Sequence, residues 1–105
     1  MLGNAAADTL MVIQGYRSVI HGCHAMRTRK AGHFRYVEFH IKVAPEMSVE
    51  NAHAITVEVK EKITERFPHT SVLIHIEPCD GNCDARCLEG CLLPENERGS
   101  LKGIR

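Results

Sequence analysis

The residues from 71 to 79 constrain the fold more than any other stretch, because apolar and polar side chains alternate along them. A two-residue period is the pattern of a β-strand that packs one face against a core. Pro78 lacks the backbone donor that a strand ladder needs, so the strand is predicted to end there. The predicted inward residues are Val72, Ile74 and Ile76, and the outward ones are Leu73, His75 and Glu77.

The outward face of this strand ends in groups that bind metal ions. His75 supplies an imidazole, Glu77 a carboxylate and, just past the proline, Cys79 a thiol. All three are zinc ligands, and alternate positions on one face of a strand lie ~7 Å apart. His75 and Glu77 could therefore share one ion or flank two. From the pattern alone, a metal site and a solvated polar face are both open interpretations.

The residues from 36 to 43 repeat the alternation and predict a second strand, which Pro45 closes. His40 falls on its outward side, as His75 does on the last strand. If His40 converged with His75 and Glu77, the three would form a set of ligands that zinc prefers. The inward residues of this strand are Val37, Phe39, Ile41 and Val43.

Between these strands the sequence predicts a helix that begins after Ser48 and ends at Phe67. Ser48 is a favourable N-cap, and Pro68 stops the helix. Apolar residues at three- and four-residue steps form one stripe toward the sheet, and His53 lies at its edge. The stripe consists of Val49, Ala52, Thr56, Val59, Ile63 and Phe67.

Two elements precede the second strand. A helix over residues 5–14 is predicted from the cap residue Asn4 and the terminating Gly15. A strand over residues 17–30 follows, and the Ala31-Gly32 turn joins it to the next strand as a hairpin. The apolar stripe of the helix is narrow and consists of Leu10 and Ile13.

The resulting order is α-β-β-α-β, which predicts a two-layer α+β fold with both helices on one face of a three-stranded sheet. The other face is left bare and carries His40, His75 and Glu77, an arrangement that invites a partner subunit or a ligand. We expect a folded domain over residues 1–80. Residues 81–105 are predicted to be a flexible tail, first rich in cysteine and then polar.

Four cysteines recur at every fourth residue from Cys79 onward, and Cys23 makes the total odd. Nothing indicates secretion, so reduced thiols are expected. The spacing matches neither the paired cysteines of zinc ribbons nor the usual iron–sulfur pattern. Soft metal ions suit such thiolates, which makes Cys83, Cys87 and Cys91 candidates for a secondary site.

Composition and motifs exclude several classes of function. Thirteen basic residues balance thirteen acidic ones, which gives nucleic-acid binding little support. No apolar run approaches the ~20 residues that cross a bilayer, and no signal peptide is recognisable, so we expect a soluble, cytosolic protein. No catalytic motif is present, and Cys23 and His24 point to opposite faces of their strand. We therefore predict that the chain is not an enzyme.

Several short motifs, taken in order, resemble the cytoplasmic C-terminal domain of cation diffusion facilitator transporters. Each motif alone is weak, but together they cover about residues 19–79. They are His24–Gly32, Val37–Ile41, Met47–His53, Arg66–Pro68 and Ile74–Cys79.

The resemblance implies a ferredoxin-like fold that forms a homodimer and binds divalent cations near the dimer interface. Zinc is the ion most often bound in that family, and Co²⁺, Ni²⁺, Mn²⁺ and Fe²⁺ suit similar ligands. A membrane transport domain is the implied partner, which would place the chain on the cytosolic side of a membrane. The implied ligands are His24, His40, His53, His75 and Glu77, with Cys79 as an extra one.

Three functions follow as alternatives. The first is a regulatory domain in which metal bridges two protomers and closes the dimer, either within an efflux transporter or as a stand-alone homologue. The second is a soluble metallochaperone or metal buffer that uses the cysteine tail. The third is a plain dimerisation module.

Overall fold

The computed structural model describes residues 5–80, 82–83, 85–94 and 100–101, with the backbone alone for residues 82, 83, 86, 100 and 101. The predicted α-β-β-α-β order and two-layer α+β class are confirmed. The elements are α1 (Ala5–Gln14), β1 (Ile20–Ala31), β2 (Phe34–Val43), α2 (Val49–Arg66), β3 (Thr70–Pro78), β4 (Asn82–Cys83), α3 (Ala85–Glu89) and β5 (Ser100–Leu101).

The main sheet has the order β1-β2-β3. β1 and β2 form an antiparallel hairpin, in which Gly32 takes the left-handed backbone conformation that the turn needs, with φ of 63°. β2 and β3 are parallel. Because β2 is the central strand, its inward residues are fully covered, as their predicted inward direction requires. They are Val37, Phe39, Ile41 and Val43, each at most 4% exposed.

α2 supplies the other half of the core and has the predicted caps. The Ser48 side chain accepts a hydrogen bond from the backbone N–H of Asn51 at 3.0 Å, and the N–H of Phe67 donates to the carbonyl of Ile63 at 3.0 Å. The inward stripe comprises Ala52, Thr56, Val59 and Ile63.

Two predicted core residues lie at the surface. Val49 is 86% exposed and Ile76 is 41% exposed, because both line an open groove between the start of α2 and the end of β3. In α1, the buried residues are Thr9, Val12 and Ile13, whereas Leu10 is 45% exposed. The predicted stripe of α1 was therefore wrong at Leu10, and the predicted cap Asn4 lies outside the described residues.

The segment after β3 includes a contact that the sequence did not indicate. Gly90 accepts a hydrogen bond from the N–H of Cys23 at 2.9 Å, and the N–H of Leu92 donates to His21 at 2.7 Å. Cys91 pairs antiparallel with Gly22 between these two bonds. A Cβ on Gly90 would overlap the carbonyl oxygen of Cys23, so this close approach requires glycine. Residues 90–92 thus extend the sheet beyond β1.

Candidate metal centre

Three histidines form a row across the sheet, on the face opposite to the helices. The strand registers pair His24 with His40 and His40 with His75. The ring centroids of His24 and His40 are 5.3 Å apart with the rings edge to face, and those of His40 and His75 are 4.5 Å apart with the rings stacked. The expected convergence of His40 with His75 on the bare face is thus present in the structure.

Glu77 joins two members of this row. Its Oε2 accepts a hydrogen bond from His40 Nδ1 at 2.8 Å, and its Oε1 lies 3.1 Å from His24 Nε2. All three side chains are partly buried, His24 the most, with 14% of its side chain exposed. One ligand atom from each lies within 4.8 Å of the others. We call these three residues the HHE cluster.

The HHE cluster fits a single divalent ion. Zinc–nitrogen and zinc–oxygen bonds of ~2.0–2.1 Å in tetrahedral geometry separate two ligands by ~3.3 Å. The distances from Glu77 to His24 and His40 are close to that value, so an ion could replace the shared hydrogen bonds after small side-chain shifts. Two imidazole nitrogens and a carboxylate oxygen are a ligand set that leaves a fourth position open.

Lys42 also contacts the cluster. Its Nζ lies 3.3 Å from Glu77 Oε1, the oxygen that His24 faces, and its side chain is 20% exposed. Burial opposes the charge on Lys42, but the hydrogen bond and the charge of Glu77 outweigh it and raise the pKa of the lysine. Burial likewise opposes ionisation of Glu77, yet His40 and Lys42 together hold its pKa below the usual value. At neutral pH the carboxylate of Glu77 is therefore ionised, and the ammonium group of Lys42 balances its charge.

His75 lies beside the HHE cluster and has its own carboxylate partner. Its Nε2 donates to Glu38 Oε2 at 2.8 Å. This hydrogen bond is the largest influence that lowers the pKa of Glu38. His75 and Glu38 thus form a second imidazole–carboxylate pair, next to His40 on the same face.

The structure leaves other predicted ligands outside the HHE cluster. His53 is exposed on α2 and lines the groove between the start of α2 and the end of β3, which Glu77 also lines, but it is not among the three converging ligands. Cys79 is half-buried at the end of β3, where its N–H donates to the carbonyl of Val43 at 2.7 Å. Cys87 and Cys91 are half-buried, and the side chain of Cys83 lies outside the described residues.

Glu38 contacts His75 and Lys42 contacts Glu77, but neither was predicted from the sequence as a site residue. Both stand two positions from His40, so the alternation that placed His40 outward places them outward as well. Their partners depend on the parallel register of β2 and β3, which sets Lys42 beside Glu77. That register is a tertiary feature that the local pattern does not contain.

The side chains of Cys23 and His24, which are neighbours in the sequence, lie on opposite faces of β1, as the strand pattern predicts. Cys23 is 6% exposed and belongs to the core, while His24 faces the opposite side. Burial raises the pKa of the Cys23 thiol to about 11, so it is protonated at neutral pH and is a poor nucleophile. Among the described residues, no helix combines the length and apolar character that a membrane span requires.

Comparison with known proteins identifies relatives of this chain. Residues 8–79 match the family model described as the cytoplasmic domain of cation efflux proteins. The chain is 30% identical over 82 residues to a cation-efflux pump FieF of Pectobacterium carotovorum subsp. carotovorum (strain PC1), an alignment that covers 78% of this chain and 24% of the pump. The chain thus spans about a quarter of the length of the curated relative.

Solved structures show the same architecture. The metal-bound C-terminal domain of the CzcD transporter from Thermotoga maritima is similar with a TM-score of 0.68 and 30% identity, over 72% of this chain and 88% of that one. The zinc form of CzrB, a putative zinc transporter, is similar with a TM-score of 0.67 and 28% identity, over 76% of this chain and 89% of that one.

Proposed function

This chain belongs to the family of cation efflux protein cytoplasmic domains, and from that premise we propose that it binds a divalent cation at the HHE cluster. The observation that carries the proposal is the convergence of His24, His40 and Glu77 from three different strands. The members of this family are described as cytoplasmic domains of cation efflux proteins, and that description names no enzymatic reaction. We extend this to the chain itself and propose that it has no catalytic activity.

We propose zinc as the ion. The ligand set of two imidazoles and a carboxylate is typical of zinc, although Co²⁺, Ni²⁺, Mn²⁺ and Fe²⁺ suit it as well. Two of the similar solved domains support this choice, since one is metal-bound and the other is a zinc form. His75 is proposed as a further ligand at the adjacent position, after release from Glu38.

We also propose that the metal bridges two protomers of a homodimer. The HHE cluster lies on a sheet face that the two long helices leave uncovered, where a second molecule can approach. His53 and Cys79, which lie outside the cluster in one chain, are proposed to contribute only across such an interface. Residues 1–80 would form this dimerising domain and residues 81–105 an appendage to it.

The biological role that we propose is metal-dependent regulation of an efflux transporter. Metal would draw two protomers together and, through an attached membrane domain, favour the active state. To shift the ratio of closed to open dimers from 1:99 to 99:1, the ions must favour the closed form by ~5.5 kcal/mol. A site with several metal–ligand bonds can supply a free energy of that size.

Zinc titration of single-site variants tests the proposal. We expect His40→Ala to weaken zinc binding strongly, because it removes the central ligand, whereas His33→Ala should bind like the wild type. His33 is exposed in the hairpin turn and is a matched control. Affinity is measured by competition with a chromogenic chelator, and dimerisation by sedimentation with and without zinc. Equal affinities for the two variants would exclude the HHE cluster as the site.

One observation supports the alternative of a metallochaperone or buffer. The half-buried Cys87 and Cys91 lie on the segment that docks beside β1, where Cys91 pairs with Gly22 and Cys87 is close enough to interact with the charge of Lys42. Replacing Cys83, Cys87 and Cys91 by serine should leave zinc binding unchanged if the cluster is the site, and should abolish it if the thiols carry the ion. A dimer that is indifferent to chelators would indicate the plain dimerisation module.

A further inference from the structure

One carboxylate oxygen of Glu77 contacts both a proposed metal ligand and a lysine. Glu77 Oε1 lies 3.1 Å from His24 Nε2 and 3.3 Å from Lys42 Nζ. An ion held between His24 and Glu77 needs a lone pair of that same oxygen at ~2.0–2.2 Å. The ammonium group of Lys42 therefore contacts the same carboxylate oxygen that would bind the ion.

The surroundings of Lys42 hold its ammonium group in the cluster. Lys42 lies on the central strand, directly beside Glu77 in the sheet register. Asp80 and Cys87, from the segment after β3, are also close enough to interact with its charge. The amine lies 3.3 Å from Glu77 Oε1 with 20% of the side chain exposed, so it faces the cluster more than the solvent.

The length of the lysine side chain allows its ammonium group to leave Glu77. On the other side of Lys42, its partner in β1 is Gly22, and the space beside Gly22 is filled by the backbone of Gly90 and Cys91. Lysine carries its charge on a flexible four-carbon stem, so its ammonium group can leave one partner without movement of the backbone.

We propose that Lys42 is a built-in competitor for the metal: its ammonium group neutralises Glu77 in the metal-free protein and must leave Oε1 before a divalent cation binds. This inference rests on the proposed function of the HHE cluster. A dication and an ammonium group repel each other at contact distances in a partly buried site. The lysine consequently weakens metal binding and sets the concentration of free metal at which the site fills.

Removal of the charge at position 42 tests the inference. We expect Lys42→Met to tighten zinc binding by about 10- to 100-fold, the range found when a group next to a metal site is changed. Lys42→Arg keeps the charge and should bind like the wild type or more weakly. Lys30→Met removes an exposed lysine in the same hairpin and is the matched control. Affinities are measured by chelator competition, with folding verified by circular dichroism.

The outcomes separate this inference from the function on which it rests. Unchanged or weaker zinc binding by Lys42→Met, in a protein whose His40→Ala variant loses zinc, overturns the role of Lys42 and leaves the metal site intact. Absence of zinc binding in both the wild type and Lys42→Met overturns both proposals. Zinc binding that appears only in Lys42→Met supports the inference in its strongest form. Lys42→Gln serves as the second neutral variant if Lys42→Met does not fold.

Discussion

The substitution Glu77→Gln separates the structural contribution of this side chain from its contribution to metal binding. Glutamine keeps the shape of glutamate but loses the charge that faces His24, His40 and Lys42. In the metal-free protein this removes one partly exposed ion pair and weakens two hydrogen bonds. Such pairs contribute at most ~1 kcal/mol, which corresponds to a fall in Tm of about 4–8 °C for a domain of this size.

The effect on metal binding is expected to be larger. At a zinc concentration 100 times the wild-type Kd, binding stabilises the folded state by ~2.7 kcal/mol, or about 10–20 °C in Tm. If loss of the carboxylate raises Kd by ~100-fold, the same zinc concentration stabilises the variant by only ~0.4 kcal/mol, or about 2–3 °C.

Thermal unfolding with and without zinc measures both effects in one experiment. The quantity compared is the increase in Tm that zinc produces in each protein. Glu61→Gln is the control, because Glu61 is an exposed carboxylate on α2. A Glu77→Gln protein that retains the full zinc-induced increase would show that the carboxylate is not a ligand, whatever the change in metal-free stability.

Two further predictions concern the edge and the core of the sheet. Gly90→Ala should detach residues 90–92 from β1 and lower the free energy of unfolding by about 1–3 kcal/mol. The measurement is amide hydrogen exchange, which should become faster at Cys23 and Leu92; unchanged exchange contradicts the prediction. The buried thiol of Cys23, with a pKa of about 11, favours folding below its unfolded pKa of ~8.5 and loses that contribution as pH rises toward 11. Denaturant unfolding should therefore show a loss of ~3 kcal/mol over this range that is missing in Cys23→Ala, and parallel pH profiles would refute it.

The local pattern predicted the outward direction of His40, His75 and Glu77, because alternation along β2 and β3 is uninterrupted. The same rule could not assign the faces of β1. There the pairing shifts between His24 and Arg27, and Ala25 takes a positive φ of 55°, so the two-residue period breaks at the bulge. His24 entered the ligand set through family resemblance and not through its own pattern.

Contacts between distant segments were likewise beyond the local pattern. The ion pair of Lys42 with Glu77 follows from the register of two parallel strands, and the pairing of Gly90 with Cys23 brings together residues far apart in the chain. Val49 is exposed because the first turn of α2 lies at the edge of the sheet, along an open groove. Such features are decided by tertiary packing, which periodicity does not encode.

Docking of residues 90–92 onto β1 has a consequence for self-association. An unpaired sheet margin is a template onto which another chain can add a strand. The chain covers residues 21–23 of one margin with its own backbone, whereas among the described residues the outer side of β3 has no strand partner along its length. Two copies that join into one continuous sheet along the whole length of a strand would therefore meet through β3, whereas copies that meet through their histidine-bearing surfaces would leave β3 accessible to a third molecule.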